Sequence, residues 1–366
     1  MVAHIIDIDG LDGLIASLKA EFDVIGPIVR DGLIRYGPIG SVADLPRGWT
    51  DVQEGGSYRL EPGNTEALFG FVLGPDSGKT NLFPPRAPMW TYREGSFSAT
   101  PDSTRPMAII GLRACDLAAI AIQDEVLLNG PYVDSHYAAR RSQLFIVAVN
   151  CTTFATNCFC TSMNTGPRLE SGFDLGLTEV LDDHHFVVHV GSEAGASFLA
   201  GLDQRQATSD ELAEADQLID ITANSITKRL DTTDIAQFLA DNLESPRWSA
   251  IAERCLACTN CTAACPTCFC TSPVDTTDFD GSAARERVWD SCFSLDYSYM
   301  GGDPVRSSGS SRYRQWMTHK LGTWIEQFGT SGCVGCGRCI TWCPVGIDIT
   351  EEMAAMRAEV LAKEAR

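Results

Sequence analysis

Two runs of cysteines are the residues of this sequence best suited to chemistry. Each run has the pattern C-x2-C-x2-C-x3-C and is followed by proline. The runs are Cys255, Cys258, Cys261 and Cys265, and Cys333, Cys336, Cys339 and Cys343. Two-residue gaps let consecutive thiolates converge on one cluster, and the duplicated pattern is typical of the ligands of two [4Fe–4S] clusters. The sequence therefore predicts two such clusters.

The fourth cysteine of each run is expected to cross to the other cluster, as it does in two-cluster ferredoxins. The predicted ligands are Cys255, Cys258, Cys261 and Cys343 for cluster 1, and Cys333, Cys336, Cys339 and Cys265 for cluster 2. Zinc is the alternative, because C-x2-C pairs also bind this metal. Four ligands suffice for zinc, however, which leaves a third cysteine and a C-x3-C-P in duplicate without a purpose. Iron is therefore favoured.

Seven further cysteines lie outside the two runs. Four of them fall within 46 positions and supply the number of ligands that one cubane needs: Cys115, Cys151, Cys158 and Cys160. A C-x-C pair in an extended segment points both thiols to one side, so we predict a third [4Fe–4S] cluster, with Asp116 as a substitute ligand. Inert buried thiols are the alternative. Structural roles are expected for Cys268, Cys270 and Cys292.

The elements that must position these thiols alternate between strand and helix over residues 1–200, which predicts a mixed α/β domain. Apolar runs predict strands at 68–73, 107–111 and 144–149, and the last of these leads directly to Cys151. Helical spacing predicts a helix over 11–22 and a final helix from 350 to 366 with Thr350 as its N-cap.

We predict an α+β fold in three parts. Residues 1–202 form the mixed α/β domain with the third cluster, 203–245 form an acidic helical connector, and 246–366 form a ferredoxin-like, two-cluster α-helical domain. The two cysteine runs are separated by the 67 residues 266–332. This distance is longer than a compact ferredoxin needs, so 266–332 are expected to be an insertion.

Charge and composition exclude several classes of protein. The formal net charge is −20, and residues 1–245 carry 34 acidic and only 16 basic residues. Such acidity disfavours binding to nucleic acid or to an anionic membrane. The most apolar stretch, 107–126, is interrupted by four charged residues and is not expected to span a bilayer. No secretory signal is visible, so a cytoplasmic protein with metal-binding cysteines is expected.

Motifs for substrate turnover are missing. The segment 74–80 resembles a phosphate-binding loop, but its first glycine is one position too close to the G-K-T that follows. The sequence contains no G-x-G-x-x-G after a predicted strand and no nucleophile elbow. We therefore expect this chain to transfer electrons and to have no catalytic residues of its own.

Several less common motifs occur along the chain. They are F-P-P-R at 83–86, G-L-R-A-C-D-L at 111–117, N-C at 150–151, C-F-C-T-S-M at 158–163 and G-F-D-L at 172–175. Together with the paired cysteine runs, these motifs resemble the iron–sulfur β subunit of soluble multi-subunit [NiFe] hydrogenases, the sulfhydrogenases. They are also similar to those of the corresponding iron–sulfur subunit of anaerobic sulfite reductases. The resemblance extends over nearly the whole chain.

This resemblance implies an electron-transfer subunit without a membrane span. It would relay electrons between a flavin- and NAD(P)H-binding partner and the small and large subunits of a [NiFe] hydrogenase, with Cys115, Cys151, Cys158 and Cys160 as the entry or exit centre. Two alternatives stay open. The same relay could serve a sirohaem sulfite reductase, or the chain could be a non-catalytic, cluster-bearing binding or sensor protein.

Overall fold

The computed structural model describes residues 3–63, 65–99 and 105–365. Its strands are β1 Ala3–Asp7, β2 Asp23–Arg30, β3 Leu33–Pro38, β4 Trp49–Glu54, β5 Ser57–Pro62, β6 Arg86–Arg93, β7 Ser96–Ala99, β8 Met107–Leu112, β9 Leu144–Val149, β10 Leu175–Val180, β11 His185–Val190, β12 Arg205–Gln206, β13 Thr271–Thr277, β14 Ala283–Trp289, β15 Tyr299–Met300 and β16 Asp303–Pro304.

The helices are α1 Ile8–Glu21, α2 Gly78–Leu82, α3 Ala114–Leu127, α4 Ser135–Arg141, α5 Cys160–Met163, α6 Glu193–Ala200, α7 Ser209–Ser225, α8 Ile235–Asp241, α9 Arg247–Ala252, α10 Asn260–Ala263, α11 Gly309–Thr318, α12 Trp324–Phe328, α13 Arg338–Thr341 and α14 Ile349–Glu364. Short 3-10 turns lie at Val42–Asp44, Asp182–His184 and Asp296–Ser298, and a π-helical turn, His319–Thr323, joins α11 to α12. None of the helices in the described ranges has the length and apolar character required to cross a membrane.

An eight-stranded mixed sheet organises the first half of the chain, in the order β12-β1-β11-β10-β9-β8-β2-β3. The four strands β10, β9, β8 and β2 run parallel to one another. Strand β8 is buried along its whole length, and so is β9 after its first residue, because helices cover central parallel strands on both faces. The carboxyl ends of β8 and β9 therefore meet at one edge of the sheet.

A second sheet joins the first half of the chain to the segment between the two cysteine runs. Its strand order is β13-β14-β6-β7, and β14 pairs antiparallel with β6. The Trp289 indole also donates to the Phe83 carbonyl at 2.9 Å. The fold is α+β, and residues 266–332 contribute a hairpin to a sheet that they share with residues 86–99.

Most of the elements predicted from sequence periodicity are confirmed. Helix α1 and strands β8 and β9 lie where they were expected. The last helix begins at Ile349, one residue before the predicted start, and its N-cap is Asp348, which accepts from the Thr350 amide at 2.8 Å. The prediction that Thr350 is the N-cap was therefore wrong. The prediction of a strand over 68–73 was also wrong, since this segment belongs to no sheet.

Buried polar side chains take the place of a neighbouring strand for the segment 68–73. The Glu179 carboxylate accepts from the amides of Leu68 and Phe69 at 2.6 and 2.9 Å. The Arg113 guanidinium donates to the carbonyls of Phe69 and Phe71 at 2.8 and 3.1 Å. An apolar run predicts burial, but it does not predict whether side chains or a strand will satisfy the backbone.

The Glu179 contacts can be tested by substitution. Glu179→Ala leaves two buried amides without an acceptor, so we expect it to lower the free energy of unfolding by about 2 kcal/mol or more. Glu66→Ala is the control, because the Glu66 side chain is 75% exposed and forms a surface ion pair with Arg47, worth about 0–1 kcal/mol. Thermal unfolding measures both variants. Equal melting temperatures would contradict a structural role for the Glu179 carboxylate.

Candidate iron–sulfur sites

The two cysteine runs share one backbone conformation. In each run, two residues with a left-handed conformation flank the second cysteine. Ala257 and Thr259 flank Cys258 with φ of 50° and 70°, and Gly335 and Gly337 flank Cys336 with φ of 65° and 76°. A four-residue helix follows at once, α10 in the first run and α13 in the second. The runs are therefore two copies of one structural unit. The positive φ at Ala257 and Thr259 is a conformation that non-glycine residues adopt rarely and that is often found at functional sites.

The first thiol set lines a cavity with apolar walls. Its members are Cys255, Cys258, Cys261 and Cys343. Backbone amides point at two of the sulfurs, since Ala257 N lies 3.4 Å from Cys255 Sγ and Ile347 N lies 3.3 Å from Cys343 Sγ. Cys343 belongs to the second run, so the chain brings a distant fourth thiol to the first three.

The second thiol set lies where the two runs meet. Its members are Cys333, Cys336, Cys339 and Cys265, of which Cys265 is buried and the other three are half-buried. Cys265 lies close enough for its charge to raise the pKa of the other three thiols. Burial is the larger cause and raises the pKa of Cys333 to about 12. A buried thiol of this kind becomes a thiolate only when a cation compensates its charge.

The third thiol set lies at the edge of the large sheet where β8 and β9 end. Cys115 is in the first turn of α3, directly after β8, and Cys151 follows β9. The set lines a single cavity, and its members are Cys115, Cys151, Cys158 and Cys160. Cys158 and Cys160 were expected in an extended segment, but Cys160 begins helix α5. Both thiols nevertheless reach the same cavity.

Residues 158–160 of the third set, called the C-F-C segment below, pack directly on the second run. The Phe159 amide donates to the Gly335 carbonyl at 2.8 Å, and the Thr165 hydroxyl donates to the Val334 carbonyl at 2.6 Å. A Cβ atom on Gly335 would lie 2.6 Å from the Phe159 carbonyl oxygen and 2.7 Å from the backbone of Cys160. Only glycine permits this approach, and Cys336 consequently lines the third cavity as well.

The carboxylate of Asp116, considered as a substitute ligand, is engaged elsewhere. Asp116 Oδ1 lies 2.9 Å from Arg338 Nη2, and Oδ2 accepts from the Arg113 amide at 3.2 Å. The first contact is an ion pair by distance but lacks hydrogen-bond alignment, since Oδ1 has no hydrogen-bond partner among the described residues. This buried ion pair favours the four thiols over Asp116 as ligands of the third site.

The three thiol sets suit polynuclear clusters better than single ions. In the part of the chain that the structure describes, no three His, Cys, Asp or Glu side chains converge on one ion position. A zinc ion would require four ligands within about 2.3 Å of one point. None of the fifteen cysteines is in a disulfide, so all of them are free to act as ligands.

The remaining thiols adjoin the ferredoxin-type runs. Cys268 interacts with Cys265, and Cys270 interacts with Cys292 and Tyr297. The hydrogen bond with Cys292 lowers the pKa of Cys270 to about 6; burial opposes this shift and the Tyr297 hydroxyl adds to it. Sequence reasoning could not foresee these pairs, because the hairpin of β13 and β14 separates Cys270 from Cys292.

The segment that resembles a phosphate-binding loop does not offer its lysine to a ligand. Lys79 Nζ donates to the carbonyls of Cys268 and Ala263 at 3.2 and 3.4 Å, and it lies 3.9 Å from the centre of the Trp289 ring. The lysine is 5% exposed. It therefore fixes the loop after the first cysteine run and is not free to bind phosphate.

Comparisons with known proteins agree with the cysteine pattern. Residues 254–347 match the family described as the 4Fe-4S dicluster domain, and the protein accordingly carries two [4Fe–4S] clusters. The chain is 30% identical over 346 residues to sulfhydrogenase 2 subunit beta of Pyrococcus furiosus. The aligned region covers 93% of this chain and 94% of that protein. No solved structure matches. The chain belongs to the family of iron–sulfur β subunits of sulfhydrogenases.

Proposed function

We propose that this chain is the electron-transfer subunit of a multi-subunit [NiFe] hydrogenase. It relays electrons between a flavin- and NAD(P)H-binding partner and the small and large hydrogenase subunits. The observation that carries the proposal is the arrangement of three four-thiol sets in one continuous row. The similarity of this chain to a sulfhydrogenase subunit over almost the full length of both proteins supports the proposed place in a hydrogenase complex.

The ligands that we propose are the three thiol sets described above. Cys255, Cys258, Cys261 and Cys343 hold cluster 1, Cys333, Cys336, Cys339 and Cys265 hold cluster 2, and Cys115, Cys151, Cys158 and Cys160 hold a third [4Fe–4S] cluster. In this proposal residues 1–202 provide the third site, residues 246–366 with the insertion 266–332 provide the other two, and residues 203–245 connect them. The fifteen free thiols suit a reducing cytoplasm.

The row has the second thiol set at its centre. Cys339 of that set also lines the cavity of the first set, and Cys336 lines the cavity of the third. Neighbouring sites thus share a wall of the same short run, 333–339. An electron that enters at either end of the row must pass the second set to reach the other end.

The chain's own residues prepare each site for iron. Bound [4Fe–4S] clusters supply one-electron storage, at potentials set by hydrogen bonds to sulfur, net charge and burial. Backbone amides point at the sulfurs of Cys255 and Cys343 in the first set. In the second set, Gly335 N lies 3.5 Å from Cys333 Sγ. Burial raises the pKa of Cys158 to about 12, so its thiolate depends on iron for compensation.

The first set marks one end of the row at the protein surface. Cys258 is the one exposed thiol of the fifteen. Leu256 and Val345 beside it are 63% and 40% exposed and border the same cavity. In the second run the equivalent loop is covered by the C-F-C segment, whereas here it is open. We propose that a partner subunit docks on this apolar surface.

Anaerobic isolation of the native complex tests the proposed context. We expect the chain to co-purify with hydrogenase small and large subunits and with a flavoprotein, and to contain about twelve irons and as many labile sulfides for three cubanes. Co-purification with a sirohaem protein would replace the hydrogenase context. A stable free monomer that contains zinc and no labile sulfide would contradict the function altogether.

The third site is tested by removing a single thiol. Cys151→Ala is expected to lower the iron content by about four per chain, because one cubane loses a ligand, while the two dicluster signals persist in electron paramagnetic resonance spectra. Cys292→Ala is the control, since this thiol lies outside the three sets. An unchanged iron content in Cys151→Ala would refute the assignment of Cys151.

The contact between the second and third sites is tested at Gly335. Gly335→Ala places a Cβ against the Phe159 and Cys160 backbone, and we expect it to displace the C-F-C segment and to lower occupancy of the third site. Gly329→Ala is the matched control, because Gly329 has a similar φ of 71° but no atom within 4 Å of the added Cβ; it should cost only about 1 kcal/mol of backbone strain. Equal iron contents in the two variants would contradict the proposed contact.

A further inference from the structure

A buried lysine lies against the second thiol set. Lys320 is 3% exposed, and its Nζ lies 3.3 Å from Cys265 Sγ. The same ammonium group donates to the Thr267 hydroxyl at 3.1 Å and to the Gly332 carbonyl at 3.0 Å. Thr267 in turn lies 3.1 Å from Cys265 Sγ. These three contacts fix the position of the Lys320 ammonium group beside Cys265 Sγ.

The charge of Lys320 has no carboxylate partner within the described ranges, and the anionic groups that face it are the thiols of Cys265, Cys268 and Cys333. A buried ammonium is strongly destabilising unless an anion compensates it. Lys79 is another buried lysine whose charge acts on Cys265, but its Nζ donates to backbone carbonyls and not to a thiol. Compensation for Lys320 therefore comes from the surrounding thiols, of which Cys265 and Cys333 belong to the second set and Cys268 lies just outside it.

The backbone that carries Lys320 supports a functional role. Lys320 lies in the π-helical turn His319–Thr323 between α11 and α12. Such turns are rare and are found frequently at functional sites. The neighbouring Trp324 ring lies 5.7 Å from Nζ. The turn therefore aims a long cationic side chain into the protein interior, where an apolar residue would pack with less cost.

We propose that the Lys320 ammonium is the counter-charge of the iron–sulfur centre at the second thiol set and that it raises the reduction potential of this centre. A fixed positive charge beside a ligand sulfur stabilises the more negative, reduced form over the oxidised form. Because this set is the middle of the row, Lys320 makes the middle centre more readily reduced than it would be without this charge. The inference depends on the proposed function for the identity of the ligands.

Potentiometric titration of the full chain, followed by electron paramagnetic resonance, tests the inference. Lys320→Gln and Lys320→Met remove the charge, and we expect the reduction equilibrium of one cluster to shift about tenfold toward the oxidised form, which is 59 mV for a one-electron couple. Lys320→Arg retains the charge and should keep the native potential. Lys79→Met is the comparison variant: the charge of this buried lysine also acts on Cys265, but less than that of Lys320, so the shift should be clearly smaller.

The outcomes separate this inference from the proposed function. Loss of one cluster in both neutral variants, with retention in Lys320→Arg, also supports the counter-charge, since the charge is then required to hold the centre. Native potentials in the neutral variants overturn the inference, and so does an equal loss of the cluster in all three Lys320 variants. If the unsubstituted protein shows no [4Fe–4S] signals, the proposed function fails first.

Discussion

Burial of thiolates is the constraint on which the rest of this structure depends. Twelve thiols are gathered in three sets, and all of them except Cys258 are buried or half-buried. A thiolate that is shielded from water without a nearby cation is unfavourable. Iron of the two [4Fe–4S] clusters of the dicluster domain removes that penalty, so the folding of this domain is coupled to metal binding. The apolar side chains that pack beside the first set, such as Phe293, Tyr313 and Trp316, can stay dry only if the thiolates among them are compensated.

One structural unit serves two purposes because its two copies have different surroundings. The loop around Cys336 uses glycine at positions 335 and 337, which admits the C-F-C segment to backbone contact. The equivalent loop around Cys258 has Ala257 and Thr259 in the same conformation, and it is open to solvent. The first copy thus ends the row at the surface, and the second copy extends it into the α/β half of the chain.

The sequence was informative wherever chemistry depends on local spacing. The duplicated cysteine runs and the strands before Cys115 and Cys151 were predicted, since ligand spacing and apolar periodicity are short-range properties. The pairing of β6 with β14 joins residues about 200 positions apart, and no periodicity encodes such a partner. The same holds for Lys320 beside Cys265 and for Glu179 beneath the segment 68–73, where a single buried side chain replaces an expected element.

The row of thiol sets is tested most directly by the magnetic interactions of the fully reduced protein, because dipolar coupling between paramagnetic centres falls steeply with distance. Electron paramagnetic resonance of the anaerobic, fully reduced chain should show three [4Fe–4S] signals, one of them broadened by both of the others. That doubly broadened signal should belong to the centre that is lost when Cys333 is replaced by alanine. Three sharp, independent signals, or coupling confined to a single pair, would contradict a continuous row with the second set at its centre.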